Sequence, residues 1–253
     1  MAGKTLPYDC RDAIRCAEEL LSVGEQRWND AYFLEAALLI TDAMKAPHEC
    51  HVCHYTLALV HTRLVSYTLH ALKKKNEARN VLERALQHAE RAIRLNEEDA
   101  NSHALLGYAL AVRSGLLGWR GMGSGARSKF EFERARRLDA ENPRLYLFRG
   151  IALYSTPAIF GGSLERARRD LQQAVSLFEE RKSKGKEIGW GHEEAWHWLA
   201  RCYAKMGDQR KALHVLREGS KRFPDHSRLR QSLFSVEEAW RNNRQRQPGG
   251  IGV

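Results

Sequence analysis

Short alternating Val/Ile-rich runs are nearly absent, while Ala, Leu, Arg and Glu dominate, which excludes a sheet-based fold and predicts an all-helical one. No uninterrupted apolar run approaches the ~20 residues that a bilayer-spanning helix needs. Met1 to Pro7 leads into the charged Asp9-Cys10-Arg11-Asp12 without a signal-type apolar stretch, so a cytoplasmic protein is expected. The five cysteines are odd in number and sit within predicted helices or at their ends, which argues against a disulfide scaffold. Also missing are a nucleotide-binding Gly-Lys-Ser/Thr loop, a dinucleotide fingerprint, a nucleophile elbow and paired catalytic carboxylates. No catalytic residue is therefore nominated, and no enzyme is expected.

What the chain does have is a recurrence. His103-Ala104-Leu105-Leu106-Gly107, Leu145-Tyr146-Leu147-Phe148-Arg149-Gly150 and Trp196-His197-Trp198-Leu199-Ala200 each precede a second amphipathic segment. The second helices share an inner spacing: Ala85, Ala89 and Ala92; Ser128, Phe132 and Ala135; Ala167, Leu171 and Ala174; Ala212, Leu216 and Gly219. A step of four and then three keeps one face inward on a helix of about 3.6 residues per turn, and small residues there let helices approach closely. Hairpins repeated in this way stack into a solenoid, which places function on an extended surface and not in an enclosed pocket.

In the last unit Trp196, Leu199, Ala200, Tyr203, Gly207, Ala212, Leu216 and Pro224 fall at the spacing of the tetratricopeptide repeat, whose period is about 34 residues. The chain resembles that superfamily as a divergent array. Units at 143–180 and 100–140 look like the same repeat with insertions, and 51–97 and 9–48 keep less of the pattern. The resemblance implies a right-handed superhelical solenoid of about five helical hairpins. A capping helix from His226 to Trp240 closes it, with an arm at 1–8, the repeat domain at 9–240 and a disordered basic tail at 241–253. It also implies a non-catalytic scaffold or adaptor that holds a peptide or partner helix in its concave groove. The groove positions carried over are Tyr55, Arg63, Asn101, Tyr108, Arg144, Tyr154, His197, Arg201 and Lys205, an aromatic and basic set suited to an acidic or C-terminal peptide. Members that clamp a terminal carboxylate use Lys and Asn at set positions; Leu59, Tyr108, Ile151 and Arg201 stand there instead, which argues against that specific use.

Insertions set two units apart. Gly107 to Ala135 spans 28 residues and Gly150 to Ala174 spans 24, against 19 from Ala200 to Gly219. The excess is placed in the turn inside each hairpin, at Ser114 to Gly125 and at Thr156 to Gly162. Trp119, Met122, Ile159 and Phe160 are expected to pack between the lengthened hairpins; the competing reading puts an anion beside Arg113, Arg120 and Arg127. Trp119, Arg120 and Phe160 mark this edge as a second candidate surface.

Two clusters look like ligand sets. His48-Glu49-Cys50-His51-Val52-Cys53-His54 contains a Cys-x-x-Cys-His run that formally matches a haem attachment site, yet a helix starting near His51 would bury Cys53 and Leu57 as core. His192, Glu193, Glu194 and His197 gather at a helix start, but the spacing fits no zinc motif and the acids suit a helix N-terminus. No metal and no cofactor are assigned.

The formal charge of +10 admits a different class of partner, RNA, DNA or anionic lipid, held through phosphate contacts by basic second helices carrying Arg134, Arg136 and Arg137, and Arg166, Arg168 and Arg169, and nucleic acid, RNA above all, is the alternative carried forward. Acids interleave at Glu131, Glu133, Glu165 and Asp170, as on solvated helix faces, so a protein partner is preferred.

Overall fold

The computed structural model describes residues 10–45, 50–185 and 189–245, and the regular structure there is helical throughout. Among these residues eleven α-helices follow one another: α1 (Cys10–Arg27), α2 (Asp30–Ala43), α3 (His51–His70), α4 (Lys75–Leu95), α5 (Ala100–Leu117), α6 (Met122–Leu138), α7 (Pro143–Ser155), α8 (Leu164–Ser183), α9 (His192–Lys205), α10 (Gln209–Arg222) and α11 (Ser227–Gln245). Each odd-numbered helix from α1 to α9 pairs with its successor, and α1, α3, α5, α7 and α9 also pack against one another in order. The result is the right-handed superhelical solenoid of five hairpins and a terminal cap, with odd helices inside and even helices outside.

The local sequence explains where helices begin. The carboxylate of Asp99 accepts from the amides of Asn101 and Ser102, and Asn142, Ser163 and Asp208 cap α7, α8 and α10 in the same manner. Pro143 opens α7, where its missing N–H would have had no partner in the first turn.

The repeated inner positions are the core. Ala85, Ala89, Ala92, Ala135, Ala167, Leu171, Ala174, Ala212 and Leu216 are all at most 1% exposed. A Cβ added at Gly107 would lie 3.0 Å from the Phe132 ring, and one at Gly150 would lie 2.7 Å from Leu171 Cγ. The small residues of the recurrence are therefore close-approach points between the two helices of a hairpin. Cys53 and Leu57 are buried on α3 as expected, so the cysteine motif is spent on packing; His48 and Glu49 lie outside the described residues.

The boundaries differ from the sequence reading at the third hairpin and at the C-terminal helix. The excess residues of the third hairpin lengthen its helices: Ser114–Leu117 complete α5, Met122–Gly125 begin α6, and only Gly118–Gly121 form the 3₁₀ turn between them. A glycine-rich run stays helical here because both helices have a neighbour to pack on. In the fourth hairpin the turn keeps a single 3₁₀ segment, Ala158–Phe160. α11 runs to Gln245, five residues into the expected tail; residues 246–253 and the arm at 1–8 lie outside the described residues.

The cap is held by Leu229, fully buried beside Trp196 and Gly219, and by His226, whose Nδ1 accepts from the Leu229 amide at 3.3 Å. Deleting residues 226–253 removes that cover and should lower the thermal midpoint and promote association, as followed by circular dichroism and light scattering. A soluble truncation with an unchanged midpoint would disprove the capping role.

Candidate functional site

The inner helices do not leave an open-ended groove. The solenoid completes a turn, so that α11 returns against α1 and a cup of about 700 Å³ is enclosed by α3, α5, α7, α9, α11 and the end of α1. Its closure rests on four charges, three of them buried and the fourth, Arg228, half-buried. Arg63 on α3 donates to both carboxylate oxygens of Glu194 on α9, at 2.9 and 2.5 Å, and its Nε lies 3.2 Å from Glu25 on α1. Arg228 on α11 donates to the other oxygen of Glu25 at 2.6 Å and covers the ring of Trp28 at 4.2 Å. Burial pushes the Glu194 carboxyl above its ordinary range while Arg63 opposes the rise, and the neighbouring Glu25 adds to it.

The wall above this network is aromatic and apolar. Trp28, Val65, Leu69, Tyr108, Val112 and Trp198 line it, with His70, His197 and Arg201 among them. At the mouth Trp198 meets Tyr154 edge-on at 5.4 Å, Arg201 lies 4.5 Å from the Trp198 ring, and Lys205 lies 4.3 Å from the Tyr154 ring. Two exposed cations thus stand on an aromatic pair, and Lys205 Nζ also donates to the Tyr154 carbonyl at 3.1 Å.

The nine groove positions divide by this geometry. Arg63, Tyr108, His197 and Arg201 line the cup, and Tyr154 and Lys205 stand at its mouth beside Arg201. Tyr55 is buried, Asn101 accepts from the side chain of Asn142 at 3.0 Å, and Arg144 covers Trp190 at 4.8 Å, so these three take part in helix packing. Tyr108 is itself stacked on Phe148, and His197 is buried with Nδ1 3.4 Å from the Ser232 hydroxyl. Missing from the sequence-based set are Glu25, Trp28, His70, Trp198 and Arg228. Nothing local could have nominated Glu25 and Arg228, which meet across 203 residues because the superhelix closes.

At the insertion edge the packing expectation fails. Trp119 is 72% exposed, Met122 66%, Ile159 85% and Phe160 45%, so the lengthened turns do not bury these side chains between them. The anion reading fails as well. Arg113 donates to Ser124 Oγ at 2.9 Å, Arg127 pairs with Glu90 at 2.7 Å, and Arg120 covers Trp119 at 5.3 Å, so the three cations diverge.

The remaining clusters hold no ligand set. His192 Nε2 lies 3.0 Å from Glu179, Glu194 serves Arg63 and His197 faces Ser232; among the described residues no three His, Cys, Asp or Glu converge as metal ligands. Burial pushes the Cys202 thiol up to about 11, which disfavours the thiolate. On the basic second helices Glu133 is shared by Arg136 and Arg137, and Glu165 by Arg168 and Arg169.

Two predictions come from these buried groups. Arg63→Met leaves Glu194 without its counter-charge and should cost about 3–5 kcal/mol in urea unfolding; a loss within error of zero would show that the network does not hold the cup. Burial holds His226 down at about 4, and burial with Arg228 and Arg201 nearby holds His197 well below the ordinary 6.5. Both are neutral in the folded chain and take up protons on unfolding, so their stabilisation is complete above pH 6.5 and is lost as pH falls towards 4. His226→Asn, which keeps an acceptor for the Leu229 amide, should flatten a plot of unfolding free energy against pH over that window.

Comparison with known proteins agrees with this architecture. Residues 193–235 match the family model of the tetratricopeptide repeat, and no curated protein matches the chain. Among solved structures, the chain is similar to a thermophilic TPR protein of Thermus thermophilus, with 20% identity, a TM-score of 0.65 and coverage of 90% of this chain and 98% of that one. It is also similar to the HusA haemophore of Porphyromonas gingivalis, with 21% identity, a TM-score of 0.62 and coverage of 81% and 96%. At such identities the likeness speaks for the fold, a solenoid of helical hairpins, and the tetratricopeptide repeat itself is matched at residues 193–235.

Proposed function

We propose that this chain is a non-catalytic cytoplasmic scaffold that holds a short acidic peptide, or the acidic end of a partner helix, in the cup. The observation that carries this reading is the imbalance of charge at the mouth. Deep in the cup two carboxylates, Glu25 and Glu194, face two guanidinium groups, Arg63 and Arg228, and their charges balance. Higher up, Arg201 and Lys205 rest on Trp198 and Tyr154 with no carboxylate within ion-pair distance among the described residues. A ligand carboxylate supplies the missing partner, and Trp28, Trp198 and the aliphatic wall receive its apolar side chains. A volume of about 700 Å³ suits a few residues, so recognition is by a short segment. The pairing of the outer arginines with Glu133 and Glu165 weighs against nucleic acid as the principal partner.

Arg201→Glu combined with Lys205→Glu should lower the affinity for a pool of short acidic, aromatic-containing peptides by about ten-fold or more. Both side chains are exposed, so the helical circular dichroism should be unchanged. Wild-type affinity in the double variant would remove the mouth from the site. Preferential recovery of RNA by the wild type, with a steep loss as salt rises, would replace the peptide reading by the nucleic-acid one.

A further inference from the structure

Because the odd helices run parallel and side by side, the turns inside the hairpins share one edge of the solenoid and the turns between hairpins share the other. Direct contacts join neighbouring turns on the first edge. Arg79 at the start of α4 donates to the carbonyl of Leu116 at 2.9 Å, a Cβ at Gly161 would lie 3.7 Å from Lys129 Nζ, and Lys205 donates to the carbonyl of Tyr154 at 3.1 Å.

The two edges differ sharply in chemistry. From the second hairpin to the fifth, each inner turn presents a large exposed apolar side chain: Leu72, then Trp119 and Met122, then Ile159 and Phe160, then Met206. Cations accompany them at Lys73, Lys75, Arg120, Lys205 and Arg210, and none of these has a carboxylate within ion-pair distance among the described residues. The acids nearby, Glu77 and Asp208, are already paired with Lys74 and Lys211. On the opposite edge the turns at 96–99, 139–142 and 223–226 carry Glu97, Glu98, Asp99, Asp139, Glu141 and Asp225, while the helix ends that meet them carry Arg94, Arg136, Arg137, Lys221 and Arg222, so the edges are set apart by their exposed apolar side chains and not by net charge. Lys184, where α8 ends on that edge, is paired with Glu180.

We propose that the inner-turn edge docks the protein on an anionic phospholipid surface. Trp119 and Ile159 stand out from convex turns instead of lining a groove, so a rigid partner would need matching holes at four successive repeats. A soft interface needs none: protruding aromatic and aliphatic side chains enter the boundary between headgroups and acyl chains, and the flanking cations remain among the phosphates. Arg120 already covers the Trp119 ring, which places a cation at headgroup level above an inserted indole. The exposed apolar side chains of the inner turns orient the solenoid, with that edge on the membrane and its helix axes standing on it. The docking is peripheral, since no helix among the described residues is long and apolar enough to cross a membrane. It uses other residues than the peptide-binding reading of the cup, apart from Lys205, and stands or falls separately.

Flotation of the full chain with phosphatidylcholine vesicles, with and without about one-third phosphatidylglycerol, tests the proposal. The wild type should float only with the anionic vesicles, less so as salt rises. Lys73→Glu with Lys75→Glu should weaken binding about ten-fold, and Trp119→Ser with Ile159→Ser by a similar factor. All four side chains are exposed, so both variants should keep the wild-type melting curve, and a variant that fails to fold is replaced by the single change Ile159→Ser. The proposal is overturned if the wild type ignores anionic vesicles. It is overturned equally if the Trp119 and Ile159 variant binds them as the wild type does, which would leave adsorption of bare charge. Self-association that depends on Trp119 and Ile159, without flotation, would assign the edge to a second copy of the chain.

Discussion

The guanidinium of Arg63 is the point through which the two ends of the superhelix are joined. It sits in the second hairpin and spans a carboxylate of the first, Glu25, and one of the fifth, Glu194. Arg228 continues the chain of charges into the cap. Four charges withdrawn from water are costly unless each is paired in good geometry, and here every carboxylate meets a guanidinium. Without this junction the array is a spring held only by neighbour-to-neighbour packing; with it, the inner helices enclose a cup of defined size.

That closure changes what a repeat array can recognise. An open solenoid offers a long surface to an extended partner, whereas this one offers a mouth framed by Tyr154, Trp198, Arg201 and Lys205 and a floor whose charges are already satisfied. Selectivity therefore rests on the upper wall. The inner-turn edge is separate in chemistry, with Trp119, Met122, Ile159 and Phe160 exposed beside cations. A protein that presents one edge to a surface and opens a cup beside it can bring a captured segment and that surface together.

Much of the packing was legible in advance. The four-three spacing at Ala85, Ala89 and Ala92 and at its equivalents marks buried faces, and Asn142 and Asp208 are the expected helix caps. These features depend on residues close in the chain, where periodicity and hydrogen-bond chemistry act directly. The turns were legible in position but not in character. Trp119, Met122, Ile159 and Phe160 have the composition of a small core, and exposure depends on whether a neighbouring turn reaches them, which side-chain type does not encode.

The sequence by itself determined the helices, their pairing into hairpins and the small-residue contacts that let each pair close, because all of these are set by interactions within a repeat or between adjacent repeats. The tertiary structure alone decided that the ends meet, that Glu25 and Arg228 share a salt bridge, and that Arg63 is paired with Glu25 and Glu194. Closure accumulates from small rotations over five hairpins, and the contact it creates joins residues 203 positions apart, a separation at which no periodic signal survives.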